Sequence, residues 1–378
     1  MKNNIPQGYK ATALGIIPQE WETIRLKDCF SISAGGDVQK DCFSETPSLQ
    51  YKYPIYSNSL FNHGLYGFTS HPRHKANSIT ITGRGALGHA EYRETDFDAI
   101  VRLLVLAPKI PLNGQYITEY INFRKPFFYE STGVPQLTAP QIANIQVLFP
   151  PLAEQRKIAE VLGVWDEAIE KQARLIEKLA LRKRGLMQQL LSAKLRLPGF
   201  SEPWKNVKLG DVASIKTGNK NNEDKIANGQ YPFFVRSSTV ERINSYSYDG
   251  EAILIPGEGK IGEIIHYING KFDYHQRVYK ISDFSNCSGL FLYYYLMYFF
   301  GKQAINNSVK ACVDSLRLST FTNMTIIHPT ISEQTAIAEV LTAADREIDL
   351  AKEKLERLRR QKRGLMQQLL TGKRRIKY

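Results

Sequence analysis

The sequence has few cysteines and no apolar run long enough to cross a membrane. Its 378 residues include four cysteines, none of them in a CxxC pair of the kind that holds zinc. Their wide spacing favours free thiols in a reducing compartment over a disulfide framework. The longest apolar run, residues 290–300, is far shorter than the ~20 residues of a spanning helix, and we interpret it as a buried, aromatic-rich helix. The N-terminus lacks the apolar core of a signal peptide, so we expect a cytoplasmic protein without membrane association.

Sequence signatures of catalysis are also missing. There is no GxxxxGKS or GxxxxGKT loop, no HExxH pair, no GxSxG elbow and no NPPY-type methyltransferase motif. His71 and His74 could form a metal pair, but Pro72 lies between them and Arg73 and Lys75 are adjacent. A solvated basic loop is therefore favoured over a metal site. The sequence predicts a protein with no catalytic residues, no metal and no cofactor of its own.

The composition is that of a globular protein with an excess of positive charge. Hydrophobic residues make up 43% and charged residues 23% of the chain, which argues against global disorder. The length exceeds that of one ordinary compact domain. Lys and Arg number 50 against 37 Asp and Glu, a net charge of +13, and this excess favours a polyanionic partner.

An internal repeat organises the chain. The segment PLAEQRKIAEVL begins at Pro151 and PTISEQTAIAEVL begins at Pro329, and the heptapeptide GLMQQLL recurs unchanged at residues 185–191 and 364–370. Weaker matches precede each copy, including a tryptophan, a Tyr-Pro pair and three spaced glycines. Repeats of this kind indicate two copies of one folding unit.

The repeat predicts an α+β fold of two similar domains, each mixed and rich in strands, joined by two long helices. The predicted boundaries are residues 1–149 and 200–328 for the two domains, and residues 150–199 and 329–378 for the two helical regions. Because the helical regions are alike and the domains diverge, we interpret the domains as two variable readers on a shared frame.

Both helical regions carry an apolar heptad pattern, which is typical of a coiled-coil seam. The seam positions are Ile158, Leu162, Trp165, Ile169, Ile176 and Leu179 in the first helix, and Ile337, Leu341, Ile348, Leu355 and Leu358 in the second. We expect the helices to pair in antiparallel orientation, with the two domains related by a pseudo-twofold axis and Trp165 near Lys362. The alternative is two independent amphipathic helices, each packed on its own domain. The first helix is predicted over about residues 153–192, with Pro198 enforcing its end.

Two glycine-rich segments imitate a nucleotide-binding motif. Residues 83–88 and 257–262 both fit GxGxxG, and each follows an apparent strand. A dinucleotide site requires a helix next, whose N-terminus meets the pyrophosphate. The residues that follow here are β-formers and turn formers, so we predict hairpin turns in which glycines supply positive φ.

The chain resembles the specificity subunits of type I restriction–modification systems over essentially its full length. The pieces that carry the resemblance are GYKATALGIIPQEW, LRLPGFSEPW and the two PxxxEQxxIAEVL…KRGLMQQLL segments. The resemblance implies a non-catalytic subunit whose two target recognition domains each read one half of a split double-stranded DNA target. It also implies that the helices set the spacer and dock two methyltransferase subunits, and that restriction subunits join the assembly. S-adenosylmethionine, ATP and magnesium would belong to those partners.

Exposed cations in the loops of each domain are the candidates for DNA contact, because base readout and phosphate binding both use them. The candidates in the first domain are Arg73, His74, Lys75 and Arg84, and those in the second are Lys216, Lys220, Arg236, Lys260 and Arg317. For any one of them the alternative is an ordinary solvated cation. The loops differ between the domains, so an asymmetric bipartite target is expected.

Three other functions remain open at this point. The chain could serve a methyltransferase that has no restriction partner. It could be an enzyme with an unrecognised site, such as a metal-dependent nuclease, although no cluster of Asp, Glu or His is evident. It could also be a coiled-coil adaptor that does not read DNA.

Overall fold

A computed structural model describes residues 5–125, 136–259, 262–307 and 316–376. The chain divides into two compact units. The first unit comprises Met1–Gln172 and Lys354–Tyr378, and the second comprises Ala173–Glu353. Each unit therefore combines one β-rich domain with a segment from each of two long helices.

The described residues of the first unit form twelve strands, three short α-helices, the start of one long helix and the end of another. The strands are β1 (Tyr9–Thr12), β2 (Gly15–Pro18), β3 (Glu22–Arg25), β4 (Phe30–Ala34), β5 (Phe43–Ser44), β6 (Tyr53–Tyr56), β7 (Leu65–Thr69), β8 (Ser78–Thr82), β9 (Ala90–Arg93), β10 (Asp98–Ala99), β11 (Leu103–Pro108) and β12 (Gln146–Phe149). The helices are α1 (Leu26–Cys29), α2 (Gly114–Arg124), α3 (Ala139–Ala143) and the long α4 (Leu152–Leu190). The two four-stranded sheets have the orders β10-β6-β7-β5 and β4-β11-β8-β9, and β1-β2 and β12-β3 form two-stranded sheets.

From β3 onward, the described residues of the second unit follow a similar order of elements with fewer strands. Its strands are β13 (Lys205–Lys208), β14 (Ser214–Thr217), β15 (Tyr231–Phe234), β16 (Val240–Ile243), β17 (Tyr248–Pro256), β18 (His266–Tyr274), β19 (Val278–Ser282) and β20 (Thr325–His328). Its helices are α5 (Leu209–Val212), α6 (Gly289–Asn307), α7 (Leu318–Thr322) and the long α8 (Ile331–Leu369). Here β17 and β18 are long enough to join the strands into one six-stranded sheet, of order β14-β19-β17-β18-β15-β16. The prediction of two similar α+β domains is confirmed.

The apolar segments form the centre of each domain. Every residue of β8 is buried, as are four successive residues at the start of β11. The aromatic-rich run predicted to be a buried helix is α6, and Phe291, Tyr295 and Phe300 on it are almost fully buried. These side chains pack in one core with residues of α4 and α8, so the helices are part of the domain core.

The long helices run antiparallel within each unit. In the first unit, Ile158 and Leu162 near the start of α4 share a core with Leu369 at the end of α8. In the second unit, Leu190 at the end of α4 shares a core with Leu341 near the start of α8. The antiparallel pairing predicted from the heptads is therefore confirmed inside each unit. Each helix has 39 residues, which is about 58 Å at 1.5 Å per residue.

The seam positions differ in how deeply they are buried. Those that are buried are Ile158, Leu162, Leu179, Ile337, Leu341, Ile348 and Leu355, and those that are half-buried are Trp165, Ile169, Ile176 and Leu358. The positions nearest the start of each helix, Ile158 and Leu162 in α4 and Ile337 and Leu341 in α8, are buried in the domain cores.

The end of the first long helix departs from the prediction. Helix α4 stops at Leu190, well before Pro198, so the prediction that this proline ends the helix is wrong. The chain turns at Ala193, which has a φ of 57°, and Leu195 N donates to Gln189 O at 3.1 Å. A left-handed residue after the last turn, with an amide reaching back to a free carbonyl, is a common way to end a helix. Gly372 holds the equivalent position after α8.

Candidate nucleic-acid interface

The glycine-rich segment of the first unit is a hairpin turn between the antiparallel strands β8 and β9, as predicted. Gly83 N donates to Arg102 O at 3.0 Å, and Leu137 N donates to Gly83 O at 3.0 Å. A Cβ atom at Gly83 would lie 2.5 Å from the Arg102 carbonyl oxygen, so only glycine fits there. Gly85, at a φ of 71°, lets the chain turn back. The turn is thus anchored at its base on the loop before β11.

Two arginines lie beside this turn. Arg84 is half-buried, and its Nη2 donates to Gln136 Oε1 at 3.1 Å. Arg102 is exposed, in a left-handed conformation with a φ of 71°. Because Gln136 is a neutral partner, it orients Arg84 without cancelling its charge. The turn therefore presents positive charge in a geometry suited to guanine or phosphate.

The basic loop that precedes β8 is tied into the fold by acidic partners. Arg73 donates from Nε to Asp98 Oδ1 at 2.7 Å and from Nη2 to Asp98 Oδ2 at 2.8 Å. Asp98 is only 2% exposed, so Arg73 neutralises a buried carboxylate. The Lys75 ammonium lies 3.0 Å from Asp96. The structure thus gives Arg73 a structural contact in addition to any contact with DNA.

His74 is held by its neighbours in the same loop. Its backbone pairs with that of Phe97, and the two rings stack with centroids 5.3 Å apart. Burial lowers the pKa of the His74 imidazole from its usual value, which favours the neutral ring. The neighbouring His71 accepts or donates a 2.8 Å hydrogen bond with the Ser70 hydroxyl. In the part of the chain that the structure describes, no three His, Cys, Asp or Glu side chains gather into a metal cluster.

The glycine turn of the second unit is anchored in the same way. It joins the antiparallel strands β17 and β18. Gly257 N donates to Arg277 O at 2.8 Å, and Leu316 N donates to Gly257 O at 2.7 Å. Arg277 and Leu316 thus hold the places of Arg102 and Leu137. The described part of the segment, residues 257–259 and 262, agrees with the predicted hairpin turn, and Gly259 and Gly262 both have positive φ.

The side chain at the tip of this second turn has the opposite charge. Glu258 stands where the first unit has Arg84, and its two oxygens receive two different arginines. Arg236 Nη1 lies 3.2 Å from Oε2, and Arg277 Nη1 lies 3.0 Å from Oε1. Both arginines are more than half exposed, at 52% and 59%, while Glu258 is 27% exposed. The carboxylate therefore sits beneath two cations that face solvent.

Open clefts lie on both sides of Glu258. One, of about 370 Å³, is lined by Arg236, Lys225 and His275. The other, of about 550 Å³, is lined by Arg277 and Arg317, among other residues. Burial and the neighbouring arginines lower the pKa of His275, which keeps that ring neutral. The two clefts thus bring four cationic side chains, Lys225, Arg236, Arg277 and Arg317, around the carboxylates of Glu241 and Glu258.

The other cations predicted in the second domain are spread around this region. Lys216 is exposed on β14, and Arg317 is exposed immediately before α7. Lys220 is half-buried, and its carbonyl oxygen accepts the Gln276 amide at 2.8 Å. Lys260 lies outside the described residues.

Three charged residues at the turns, Arg102, Arg277 and Glu258, were not among the candidates chosen from the sequence. A signal for the two arginines was present, because each directly precedes a buried strand, β11 or β19, in its copy of the repeat. No local pattern could have shown that Glu258 lies between two arginines. Arg236 precedes it and Arg277 follows it at a distance in the sequence, and only the fold brings the three together.

A buried glutamate joins the two long helices to the first domain. Glu154, in the first turn of α4, is fully buried. Trp21 Nε1 donates to Glu154 Oε2 at 2.9 Å, and Arg375 Nε donates to Oε1 at 2.7 Å. The acidic side chain is also placed where the helix dipole favours it. One carboxylate thus connects the domain, the start of α4 and the segment after α8.

The second unit repeats this junction. Glu333, also fully buried, accepts from Trp204 Nε1 at 2.9 Å and from Arg196 Nε at 2.6 Å. The adjacent glutamines also make equivalent hydrogen bonds. Gln155 Oε1 accepts from Asn113 N at the start of α2, and Gln334 Oε1 accepts from Ser288 N at the start of α6. The Glu-Gln pair of the repeat is therefore a structural junction and not a catalytic site.

A second ionic contact links the helices farther along. Lys362 Nζ lies 2.6 Å from Asp166 Oδ1 and 2.9 Å from Glu119 Oε2. Burial raises the pKa of the Glu119 carboxyl to about 7, because its desolvation and the nearby Asp166 outweigh the attraction of Lys362. The predicted register, with Trp165 near Lys362, is correct to within one residue, because Lys362 binds Asp166.

Among the helices of the described residues, none combines the length and the hydrophobicity of a membrane span.

Comparison with known proteins identifies the family. The family model described as "Type I restriction modification DNA specificity domain" matches residues 18–180 and 201–360. The chain is 25% identical to the type I restriction enzyme MjaVIII specificity subunit of Methanocaldococcus jannaschii, over 96% of this chain and 94% of that protein. It is 32% identical to the type I restriction enzyme EcoDI specificity subunit of Escherichia coli, over 44% of this chain and 37% of that protein.

Solved structures agree with the fold. A type I restriction–modification S subunit from M. genitalium superposes with a TM-score of 0.67 at 17% identity, covering 98% of this chain and 97% of that one. A chain from a structure of type I R-M complex assembly and conformational transition gives a TM-score of 0.58 at 18% identity, covering 94% and 99%. The family model covers most of the chain and occurs once in each half, in agreement with the two repeated domains, and the chain therefore belongs to the type I restriction–modification DNA specificity family.

Proposed function

We propose that this chain is the non-catalytic subunit that gives a type I restriction–modification complex its DNA sequence specificity. Each domain reads one half of an asymmetric bipartite target. The observation that carries the asymmetry is the pair of glycine turns, which are anchored by equivalent hydrogen bonds but present Arg84 in one domain and Glu258 in the other. Equivalent scaffolds with opposite charges at the tip fit two different base sequences.

We propose target recognition domains at residues 1–149 and 200–328, and conserved helical regions at residues 150–199 and 329–378. The equivalent junctions at Glu154 and Glu333 support this division, because each lies where a domain meets a long helix. The proposed DNA contacts are Arg73, His74, Lys75, Arg84, Lys216, Lys220, Arg236, Lys260 and Arg317. The two turn arginines found in the structure, Arg102 and Arg277, are added to them.

The proposed partners are double-stranded DNA and the modification and restriction subunits of the complex. Two methyltransferase subunits would dock on the paired helices, one for each repeated half. S-adenosylmethionine, ATP and magnesium would be bound by those partners. The cytoplasm is the proposed location, since the ligand is DNA.

The experiment that tests this function is a methylome of cells that carry the chain together with its methyltransferase. The expected result is methylated adenine in a split motif with a fixed spacer. Purified complex should bind that motif with an affinity that falls steeply as salt rises, because binding releases counterions from DNA. A coiled-coil adaptor would give no motif and no sequence preference in binding.

A second arm separates the two forms of the proposal. Cells that also carry a restriction subunit should cleave unmodified DNA that contains the same motif. A methylated motif without any restriction would indicate a specificity subunit that serves a methyltransferase alone.

A further inference from the structure

We propose that Glu258 determines base preference in the second half-site by orienting Arg236 and Arg277 toward a guanine-containing part of the target. This inference rests on the proposed function, since it concerns how one of the two domains would read DNA. It assigns Glu258 the role of a positioning residue, and it assigns direct base contact to the arginines.

The geometry at the turn supports this assignment. Each Glu258 oxygen pairs with one arginine: Arg236 Nη1 donates a hydrogen bond to Oε2 at 3.2 Å, and Arg277 Nη1 forms an ion pair with Oε1 at 3.0 Å. A guanidinium is planar and carries five N–H donors. One donor nitrogen held by the carboxylate leaves Nη2 and Nε for other partners. When arginine recognises guanine, two of its N–H groups donate to the O6 and N7 atoms of the base. Fixing the plane of the guanidinium therefore favours a base whose acceptors lie in that plane.

The base of the turn is fixed to its neighbours by backbone hydrogen bonds and close packing, which places Glu258 beside the two arginines. Gly257 is bonded on both sides, by its amide to Arg277 O and by its carbonyl to Leu316 N. The Tyr279 hydroxyl donates to Leu316 O at 3.0 Å. This hydrogen bond holds Leu316, whose amide binds the Gly257 carbonyl, in place. A Cβ atom at Gly257 would lie 2.8 Å from the Tyr279 ring, so this close packing requires glycine.

Stability is a weak reason for a glutamate at this place. Ion pairs between largely exposed side chains add little to folding stability. A negative charge on a surface that approaches phosphates also opposes DNA binding. The carboxylate therefore lowers the affinity for DNA. Its presence at this position is explained if it improves discrimination between DNA sequences.

The first domain provides an internal comparison. Its turn carries Arg84 at the equivalent position, and the equivalent of Arg277 is Arg102. Gln136 is the partner of Arg84 there, and the equivalent of Arg236 is Asn58, whose Oδ1 accepts the Gly83 amide at 2.9 Å. The first turn therefore carries an arginine of its own, whereas the second turn carries an acid that pairs with two arginines from neighbouring loops.

The test uses the complete complex with its methyltransferase and a DNA library in which both half-sites are randomised. Selected sequences are compared for the unaltered chain, E258Q and D249N. Asp249 is exposed on β17, the strand that leads to the turn, so D249N makes the same charge change away from Glu258. Melting temperatures are measured for each complex, to compare the variants only where folding is intact.

The expected result for E258Q is loss of preference at one or two positions of the second half-site only. The discrimination there should fall about tenfold or more, which is the range of one bidentate arginine contact. Affinity for random DNA should stay equal or rise, since a negative charge has been removed. D249N should keep both half-sites unchanged.

Three outcomes would overturn the inference. In the first, E258Q raises affinity for all sequences equally and leaves the half-site intact, so that Glu258 sets only surface charge. In the second, E258Q loses the preference while R236K and R277K both keep it, which would mean that the carboxylate itself contacts a base. In the third, the altered positions lie in the first half-site. If the unaltered complex selects no split motif at all, the proposed function itself fails, and that result is distinct from the other three.

Discussion

Lys362 Nζ lies 2.6 Å from Asp166 Oδ1, and the second unit repeats this bond between Lys183 and Asp345. The two pairs occupy equivalent places in the sequence repeat, and in both the lysine lies near the end of one helix and the aspartate nearer the start of the other. What differs is the third member, which comes from the domain. It is Glu119 on α2 in the first unit and Tyr294 on α6 in the second, where the Tyr294 hydroxyl donates to Asp345 at 2.8 Å.

Replacing Lys362 by alanine should destabilise the first unit. The lysine side chain is 12% exposed and faces two carboxylates, which would be left close together without a cation. The expected loss is about 1–3 kcal/mol, less than for a fully buried pair because Asp166 is partly solvated. Urea unfolding would measure it. Lys171→Ala is the matched control, since Lys171 pairs with Glu167 on the exposed face of α4, and a loss as large for this control would contradict the argument.

Glu119 should make the stability of the first unit depend on pH. Its pKa in the folded chain is about 7, above the ordinary 4.5, so the folded state binds the proton more tightly than the unfolded state. The contribution of Glu119 to the free energy of unfolding is therefore fully present below about pH 4.5 and is lost as the pH rises toward 7. The free energy of unfolding should fall by at most about 1.4 kcal/mol per pH unit in this range.

Glu119→Gln removes this titration while keeping an oxygen that can accept from Lys362. The variant should show a flatter stability profile between pH 4.5 and 7 and should be no less stable than the parent at pH 8. Chemical unfolding at several pH values would check this, with Glu160→Gln on the exposed face of α4 as the control. A profile with the parent's slope would show that Glu119 titrates in its ordinary range.

Arg73→Ala should destabilise the first unit, because Arg73 is the cationic partner of a buried carboxylate. Asp98 is buried and receives both donors from Arg73, so its charge would be left without its partner. A loss of about 1–3 kcal/mol is expected, below the range for a fully buried pair because Arg73 is 34% exposed and Ala99 N still donates to Asp98. Lys75→Ala, in the same loop but with a lysine 86% exposed, should leave the melting temperature nearly unchanged. An Arg73→Ala chain of full stability and weakened DNA binding would instead place this arginine on phosphate.

Arg84→Ala should relax the first half-site and leave the second intact. Its guanidinium is oriented by the neutral Gln136 at the tip of a glycine turn, a geometry suited to base contact. Discrimination at one position should fall about 5- to 150-fold, the effect of one bidentate contact. Selection from a library with both half-sites randomised would measure this, with Lys10→Ala in the same unit as the control. An unchanged sequence preference at the first half-site would show that Arg84 does not contribute to base recognition.

Periodic and repeated features of the chain were predictable from the sequence. The heptads of Ile158 and Leu162 indicated α4, and the duplicated heptapeptide indicated α8, because helix periodicity and repeats are visible along the chain. The glycine turns were also predictable, since their strands and turn residues are adjacent in sequence. Arg73 shows the limit: its cation was visible, but its partner Asp98 belongs to another strand and only the fold brings the two together.

The site contacts depend in the same way on long-range pairing. Glu258 meets Arg236 and Arg277 because β15, β17 and β19 belong to one sheet. The pKa of Glu119 depends on Lys362, which is far away in the chain. Composition and motifs could therefore indicate a DNA reader with two halves, while the arrangement of charges at each turn required coordinates.

Inserting the same number of whole helical turns into both long helices should lengthen the spacer between the half-sites. The insertion points after Arg174 in α4 and after Glu353 in α8 are equivalent in the repeat and lie between the two lysine–aspartate pairs, so seven added residues in each would keep both pairs and the heptad phase. Seven residues add about 10 Å of helix, on the order of one to three base pairs of DNA. Methylome sequencing should show both half-sites unchanged and the spacer longer. The same insertion in α4 alone would break the register of one pair and should lower the melting temperature. Altered half-site sequences with an unchanged spacer would show that the helices do not set the distance.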